Sequence, residues 1–175
     1  GISCAMRRKE TSDYKKVLAN AKRIVVLEDV ENPTNIGAIF RSAAAFGVDA
    51  VLLSPACVDP FYRRAMRVSV GNALLVPWAY ICNSEAQWKK RGIELLREEG
   101  FQTVAMALRE DTIRIDDPRL KQVERLAILM GNEGQGLAAS TIEAADYVAK
   151  IPMMNGVDSL NVAVAAGLAM WELTK

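Results

Sequence analysis

The 175-residue chain contains no histidine. That removes the commonest general base and the commonest zinc ligand from any chemistry considered for it. Cysteine is scarce: Cys4, Cys57 and Cys82 have neither paired nor metal-ligand spacing, which points to free thiols in a reducing compartment and to no metal site. No apolar stretch approaches the roughly 20 residues needed to span a bilayer, and GISCAMRRKE has no apolar signal segment. The expectation is a cytoplasmic protein with no membrane partner. The P-loop pattern and the dinucleotide fingerprint GxGxxG are missing, which disfavours a conventional nucleotide-binding domain. Net charge is only +1, so a polyanionic partner has to be argued from local clusters.

With 51% hydrophobic and 25% charged residues, the composition is that of an ordinary globular domain large enough to bury a core unaided. Residues 1–20 read as an appendage or linker remnant, and 21–175 as one domain. Arg23–Leu27, Ala50–Ser54, Leu74–Ile81, Phe101–Leu108, Leu126–Met130 and Tyr147–Ile151 read as strands, apolar nearly throughout. Helical patterns fall between them. Asp59-Pro60 suits the start of a short helix through Arg67, Ser84 with Gln87 makes a capping box, and Ser140 with Glu143 makes another. Such alternation implies an α/β fold with a mainly parallel sheet and helices on both faces, whose sites gather at strand C-termini.

Three segments that follow strands carry more Gly, Asn, Glu and Ser than plain connections require: NPTNIGAIFR, GNEGQGL and IPMMNGVDSLN. In the first, Asn35 is a candidate helix cap, with Ile39, Ala43 and Phe46 as the buried stripe. Arg41 lies about 200° around from Ile39, so it points away from the core and is either functional or a solvated arginine. The glycines around Glu133 suit a loop whose backbone approaches a ligand, or a generic turn. In the third, Ser159 is a candidate cap, and Leu160, Val164, Gly167, Leu168 and Trp171 are expected as the buried stripe of the last helix. The alanines between them keep that helix thin. This fits a threaded chain, a subunit contact or a tightly packed core helix. Two basic clusters stand out, Arg7-Arg8-Lys9 and Arg63, Arg64 and Arg67. The second lies on one helical face, suited to phosphates or simply solvated.

These three segments, in this order, resemble the signature motifs of the SpoU/TrmH family of RNA ribose 2'-O-methyltransferases, within the SPOUT superfamily. The resemblance covers almost the whole chain from Arg23 onward. It implies a sheet with a deep C-terminal trefoil knot, a rare exception to the rule against threaded chains. It further implies S-adenosylmethionine as cofactor, rRNA or tRNA as substrate, and a homodimer that sets each cofactor beside the partner chain. The family's polar set maps onto Asn35, Arg41, Glu133, Ser159 and Asn161. Its cofactor loops map onto Ala107, Gly131, Ile151, Met153 and Leu160. In that context Arg63, Arg64 and Arg67 are expected to contact RNA. Arg41 would either accept the proton of the ribose hydroxyl or remain a cation that grips phosphate and steadies the developing alkoxide, the second sitting better with the high basicity of arginine. Asn35 would orient Arg41, and Glu133, Ser159 and Asn161 would hold the loops. The alternatives are a related enzyme with another RNA target atom and a non-catalytic RNA-binding knotted module.

Overall fold

A computed structural model of the chain describes residues 7, 8 and 10–175; Cys4 and Lys9 lie outside the described residues. In chain order the elements are α1 (Tyr14–Leu18), β1 (Arg23–Leu27), α2 (Pro33–Phe46), β2 (Ala50–Leu53), α3 (Arg63–Val68), a 3-10 turn (Asn72–Leu74), β3 (Trp78–Tyr80), α4 (Glu85–Glu98), β4 (Gln102–Met106), β5 (Ile113–Arg114), α5 (Pro118–Gln122), β6 (Leu126–Met130), α6 (Ala139–Ala144), β7 (Tyr147–Lys150) and α7 (Val162–Leu173). The strands form one seven-stranded sheet in the order β3-β2-β1-β6-β4-β7-β5. Every pairing in it is parallel.

A parallel sheet has to be covered on both sides, and the central strands are apolar at every position for that reason. Val25 and Leu27 of β1, with Leu126, Ile128 and Met130 of β6, pack beneath α2, α3 and α7. Ile24, Val26, Ala127 and Leu129 point the other way, into a core shared with α1 and α4. The expected α/β architecture with helices on both faces is therefore present. Residues 1–20 include α1, whose Leu18 is fully buried, and Arg125 donates to the carbonyls of Leu18 and Ala21 at 2.7 and 2.9 Å.

Several local expectations are corrected. Asn32, not Asn35, caps α2, accepting from Thr34 N with Pro33 in the first turn; Asn35 is a buried residue inside the helix. A proline at the first helical position needs no N–H, so the start moves three residues upstream of the apolar pattern. The short helix starts at Arg63, because Asp59 closes its own turn through Phe61 N instead. Strand β3 starts only at Trp78, after Pro77, which lacks the N–H a ladder would require. Ser140 lies inside α6, which has no side-chain cap. Asn161, not Ser159, caps α7, accepting from Ala163 N and Val164 N.

The largest correction concerns the face of α7. Val162, Ala166, Ala169, Met170 and Leu173 are buried, whereas Val164, Leu168 and Trp171 are 53%, 44% and 51% exposed. This helix is apolar around almost its whole circumference, so a 3.6-residue period carries no direction in it. Its buried face includes Ala166 and Ala169, and α7 packs there against β6 and α2.

Candidate functional site

The C-terminal ends of three neighbouring strands, β6, β4 and β7, open on one pocket of about 420 Å3. This is where ligand sites gather in open α/β sheets, and the volume lies within the usual ~300–1,000 Å3 range for small-ligand pockets. Met106 and Ala107 come from the end of β4, Met130 from β6, and Ala149 from β7. Most of the rest of the wall is the loop 131–138 and the loop 151–161, with Leu108, Arg109 and Lys150 at the β4 and β7 ends and Ile142, Val162 and Ala165 from the flanking helices.

Loop 131–138 is folded hard against itself. A Cβ built on Gly131 would lie 2.1 Å from the carbonyl carbon of Gly136 and 2.3 Å from Leu137 N, so backbone occupies the space a side chain would take. Asn132 holds the reversal: its Oδ1 accepts from Gly134 N at 3.0 Å and Gln135 N at 2.7 Å, and its carbonyl accepts from Gly136 N at 3.2 Å. Glu28, at the end of β1, fastens the far end. Its carboxylate is 2% exposed and accepts from Ala138 N at 2.6 Å, from Trp88 Nε1 at 2.6 Å and from the Thr141 hydroxyl. Three donors compensate the burial of that charge.

Loop 151–161 is built differently. Asn155 and Gly156 take left-handed backbone angles, φ 58° and 71°, and make the turn that the Asn-Gly pair suggests. The loop ends at Asn161, whose amide nitrogen donates to Asn35 Oδ1 at 3.2 Å and so joins the α7 cap to α2.

All five residues expected around a cofactor, Ala107, Gly131, Ile151, Met153 and Leu160, line this pocket, together with Glu133 and Ser159. Asn35 and Asn161 meet each other beside it. Arg41 stands apart, exposed on the outer side of α2 in a stripe with Ala38 and Ala45. Asn35 is hydrogen-bonded to Asn161, not to Arg41, because six residues along a helix turn the two side chains about 120° apart. Glu133 and Ser159 make no side-chain hydrogen bond among the described residues; the loop support expected of Glu133 comes from Asn132 and Glu28. Arg63, Arg64 and Arg67 are exposed on α3 and form no ion pair among the described residues.

The remaining chemistry is restricted. Burial pushes the Cys57 thiol up to about 12 and the Cys82 thiol up to about 11, so neither is a nucleophile near neutral pH. Burial, with Asp29 nearby, also raises the Glu85 carboxyl, against the lowering effect of Ala56 N. Among the described residues no cluster of His, Cys, Asp and Glu is arranged to hold a metal ion.

Residues 22–171 match the model of the SpoU rRNA methylase family. The chain belongs to that family. It is 42% identical over its full length to a Mycobacterium bovis protein described as an uncharacterized tRNA/rRNA methyltransferase, and spans 59% of that relative's length. It is 32% identical to a 23S rRNA (guanosine-2'-O-)-methyltransferase of Coxiella burnetii, covering all of this chain and 69% of the other. Among solved structures, the AdoMet-bound rRNA methyltransferase of Sinorhizobium meliloti superposes with a TM-score of 0.83 at 28% identity, over 94% of this chain and 60% of that one. The SpoU methyltransferase AviRb of Streptomyces viridochromogenes in complex with AdoMet superposes at 0.80 with 25% identity, over 94% and 64%.

Glu28, Asn132, Arg109, Lys150 and Asp158 are site residues the sequence reading did not single out. A glutamate closing the apolar run RIVVL was visible, but its burial beneath Thr141 depends on contacts 113 residues apart. Among the described residues no helix is long and apolar enough to cross a membrane.

Proposed function

We propose that this chain is the catalytic domain, residues 21–175, of an S-adenosylmethionine-dependent enzyme that methylates a ribose 2'-hydroxyl in rRNA or tRNA, acting in the cytoplasm as a homodimer. The observation that carries the reading is the pocket: three loops meet at adjacent strand ends, and every expected cofactor residue lies in its wall. Its character suits the molecule. Apolar Met106, Met130, Ile151, Met153 and Leu160 offer surface to an adenosyl group, the Gly131 cradle brings backbone polar groups close, and charged side chains stand around them. When bound, S-adenosylmethionine supplies a methyl group on a sulfonium. The convergence of segments 106–109, 130–137 and 149–162 on one cavity is what a C-terminal trefoil knot would require, and supports that expectation.

Arg41 does not line its own chain's pocket. It is exposed on α2, and α2 packs against α7, whose Val164, Leu168 and Trp171 form an exposed apolar stripe, with Phe46 edge-on against Trp171 at 5.6 Å. Covering that stripe with a second copy would bury the apolar surface and bring Arg41 to the partner's pocket. There a cationic Arg41 holds an RNA phosphate and steadies negative charge growing on the attacking oxygen, while Arg63, Arg64 and Arg67 grip phosphates further along. Asn161 and Asn35 hold the α7 start against α2, and Ser159 and Glu133 present polar atoms to the pocket.

The test is Arg41→Ala assayed with labelled cofactor and total RNA. Methylation should vanish while calorimetry still registers S-adenosylmethionine, and a variant that methylates at the parental rate would refute the role of Arg41. Trp171→Glu should lower the sedimenting mass to that of a monomer.

A further inference from the structure

The pocket wall contains four formal charges whose arrangement nothing above explains. Arg109, Lys150, Glu133 and Asp158 all line it. None of the four has an ion-pair partner among the described residues, although partners are plentiful nearby. Arg114 is bonded to Asp116 at 2.9 and 3.0 Å, and Arg119 to Asp117 at 3.0 and 2.8 Å. Along this edge of the sheet, then, arginines outside the pocket are neutralised by the next available aspartate and the two cations inside it are not.

The two cations come from paired strands. Strands β4 and β7 are paired up to Met106 and Ala149, and Ala107 N donates to Ala149 O at 3.1 Å. Lys150 follows Ala149 directly, and its backbone is pinned from the other side by Ile115 N at 3.0 Å. Arg109 follows Ala107 by two residues. Glu133 and Asp158 arrive separately, from the loops after β6 and β7. The pocket therefore takes its positive charge from the β4 and β7 ends and its negative charge from its two loops. Arg109, Glu133 and Asp158 are exposed and Lys150 is half-buried, so water serves them in the free protein, and a ligand with a single charge, or none, would leave part of the set without a partner.

We propose that Arg109 and Lys150 form the subsite for the α-carboxylate of an amino-acid-bearing adenosyl ligand, with Glu133 and Asp158 facing its cationic ammonium and sulfonium. The proposal rests on the cofactor reading above and adds a specificity to it: the site selects the carboxylate-bearing sulfonium over the same sulfonium without its carboxylate and over an adenosyl thioether without the amino acid. Both cations lie outside the polar set expected to act on RNA, so the subsite is separable from methyl transfer. The selectivity is electrostatic and should weaken with salt.

The test is titration calorimetry of the wild-type chain and of Arg109→Gln, Lys150→Gln and the double variant with three probes: S-adenosylmethionine, its decarboxylated analogue, and 5'-methylthioadenosine. Thermal melting of each protein controls for folding. Wild type should prefer S-adenosylmethionine, each single variant should bind it about tenfold more weakly, and the double variant should bind it no better than the decarboxylated analogue, whose own affinity stays unchanged. Variants that weaken all three probes equally, or none of them, overturn the subsite and leave the cofactor reading standing. A wild-type protein that binds none of the three overturns the cofactor reading itself, and this inference with it.

Discussion

Loop 131–138 and loop 151–161 line the same pocket, yet they are held in place by different means. The first is fastened at three points: backbone against backbone at Gly131, the Asn132 side chain across the reversal, and Glu28 at the exit. The second has a single internal backbone bond between its ends, Val157 N to Met154 O at 3.2 Å, and residues 154–161 are all exposed. One wall is held by many internal bonds and the other by few. Preorganisation of that kind lowers the cost of binding on the first side and leaves adaptability on the second.

The difference can be broken most severely at Gly131. An alanine there would need its Cβ to share space with the Gly136 carbonyl, and no flexible side chain is available to yield. Gly131→Ala should cost about 3 kcal/mol or more and abolish cofactor binding, as read by thermal melting and calorimetry. Second in size is Glu28→Ala, which leaves Trp88 Nε1, Ala138 N and the Thr141 hydroxyl without their acceptor. We expect about 2–3 kcal/mol of destabilisation and a changed Trp88 emission, with Glu28→Gln milder because one oxygen remains to accept from Ala138 N. Asn161→Ala removes a cap and the link to Asn35, and should cost about 1 kcal/mol in urea melts, with a larger loss in catalysis than in stability. The smallest effect belongs to Met154→Ser on the second loop. Met154 is 81% exposed, so stability should stay within about 0.5 kcal/mol of the parent. If Met154→Ser destabilised the chain as much as Glu28→Ala, the contrast between the loops would collapse.

Much of this organisation was legible from residue pattern. The strand Leu126–Met130 is matched residue for residue, and Ser84 caps α4 as the sequence suggests. These elements have one strong local signal and no competitor. Helix boundaries were missed where two polar residues competed for one role: Asn32 against Asn35, and Asn161 against Ser159. In the first case Pro33 sets the start, and in the second Asn161 both caps α7 and is joined to Asn35 across 126 residues. The exposed stripe of α7 was read as its core face because a helix apolar all round gives periodicity nothing to measure.

The sequence by itself determined the parallel α/β architecture, the absence of histidine, and the three polar segments that follow apolar strands. Those follow from short-range rules: burial on both faces demands continuous apolar strands, and Gly, Asn and Ser are needed where backbone turns or approaches closely. Tertiary structure alone decided which segments share a pocket, that Glu28 is the buried anchor of one wall, that Arg109 and Lys150 line that pocket from the ends of paired strands, and that Arg41 and an apolar stripe of α7 are exposed. The reason is physical. Strand order places β6, β4 and β7 next to one another although they are far apart in the chain, and no local pattern encodes which strand ends become neighbours.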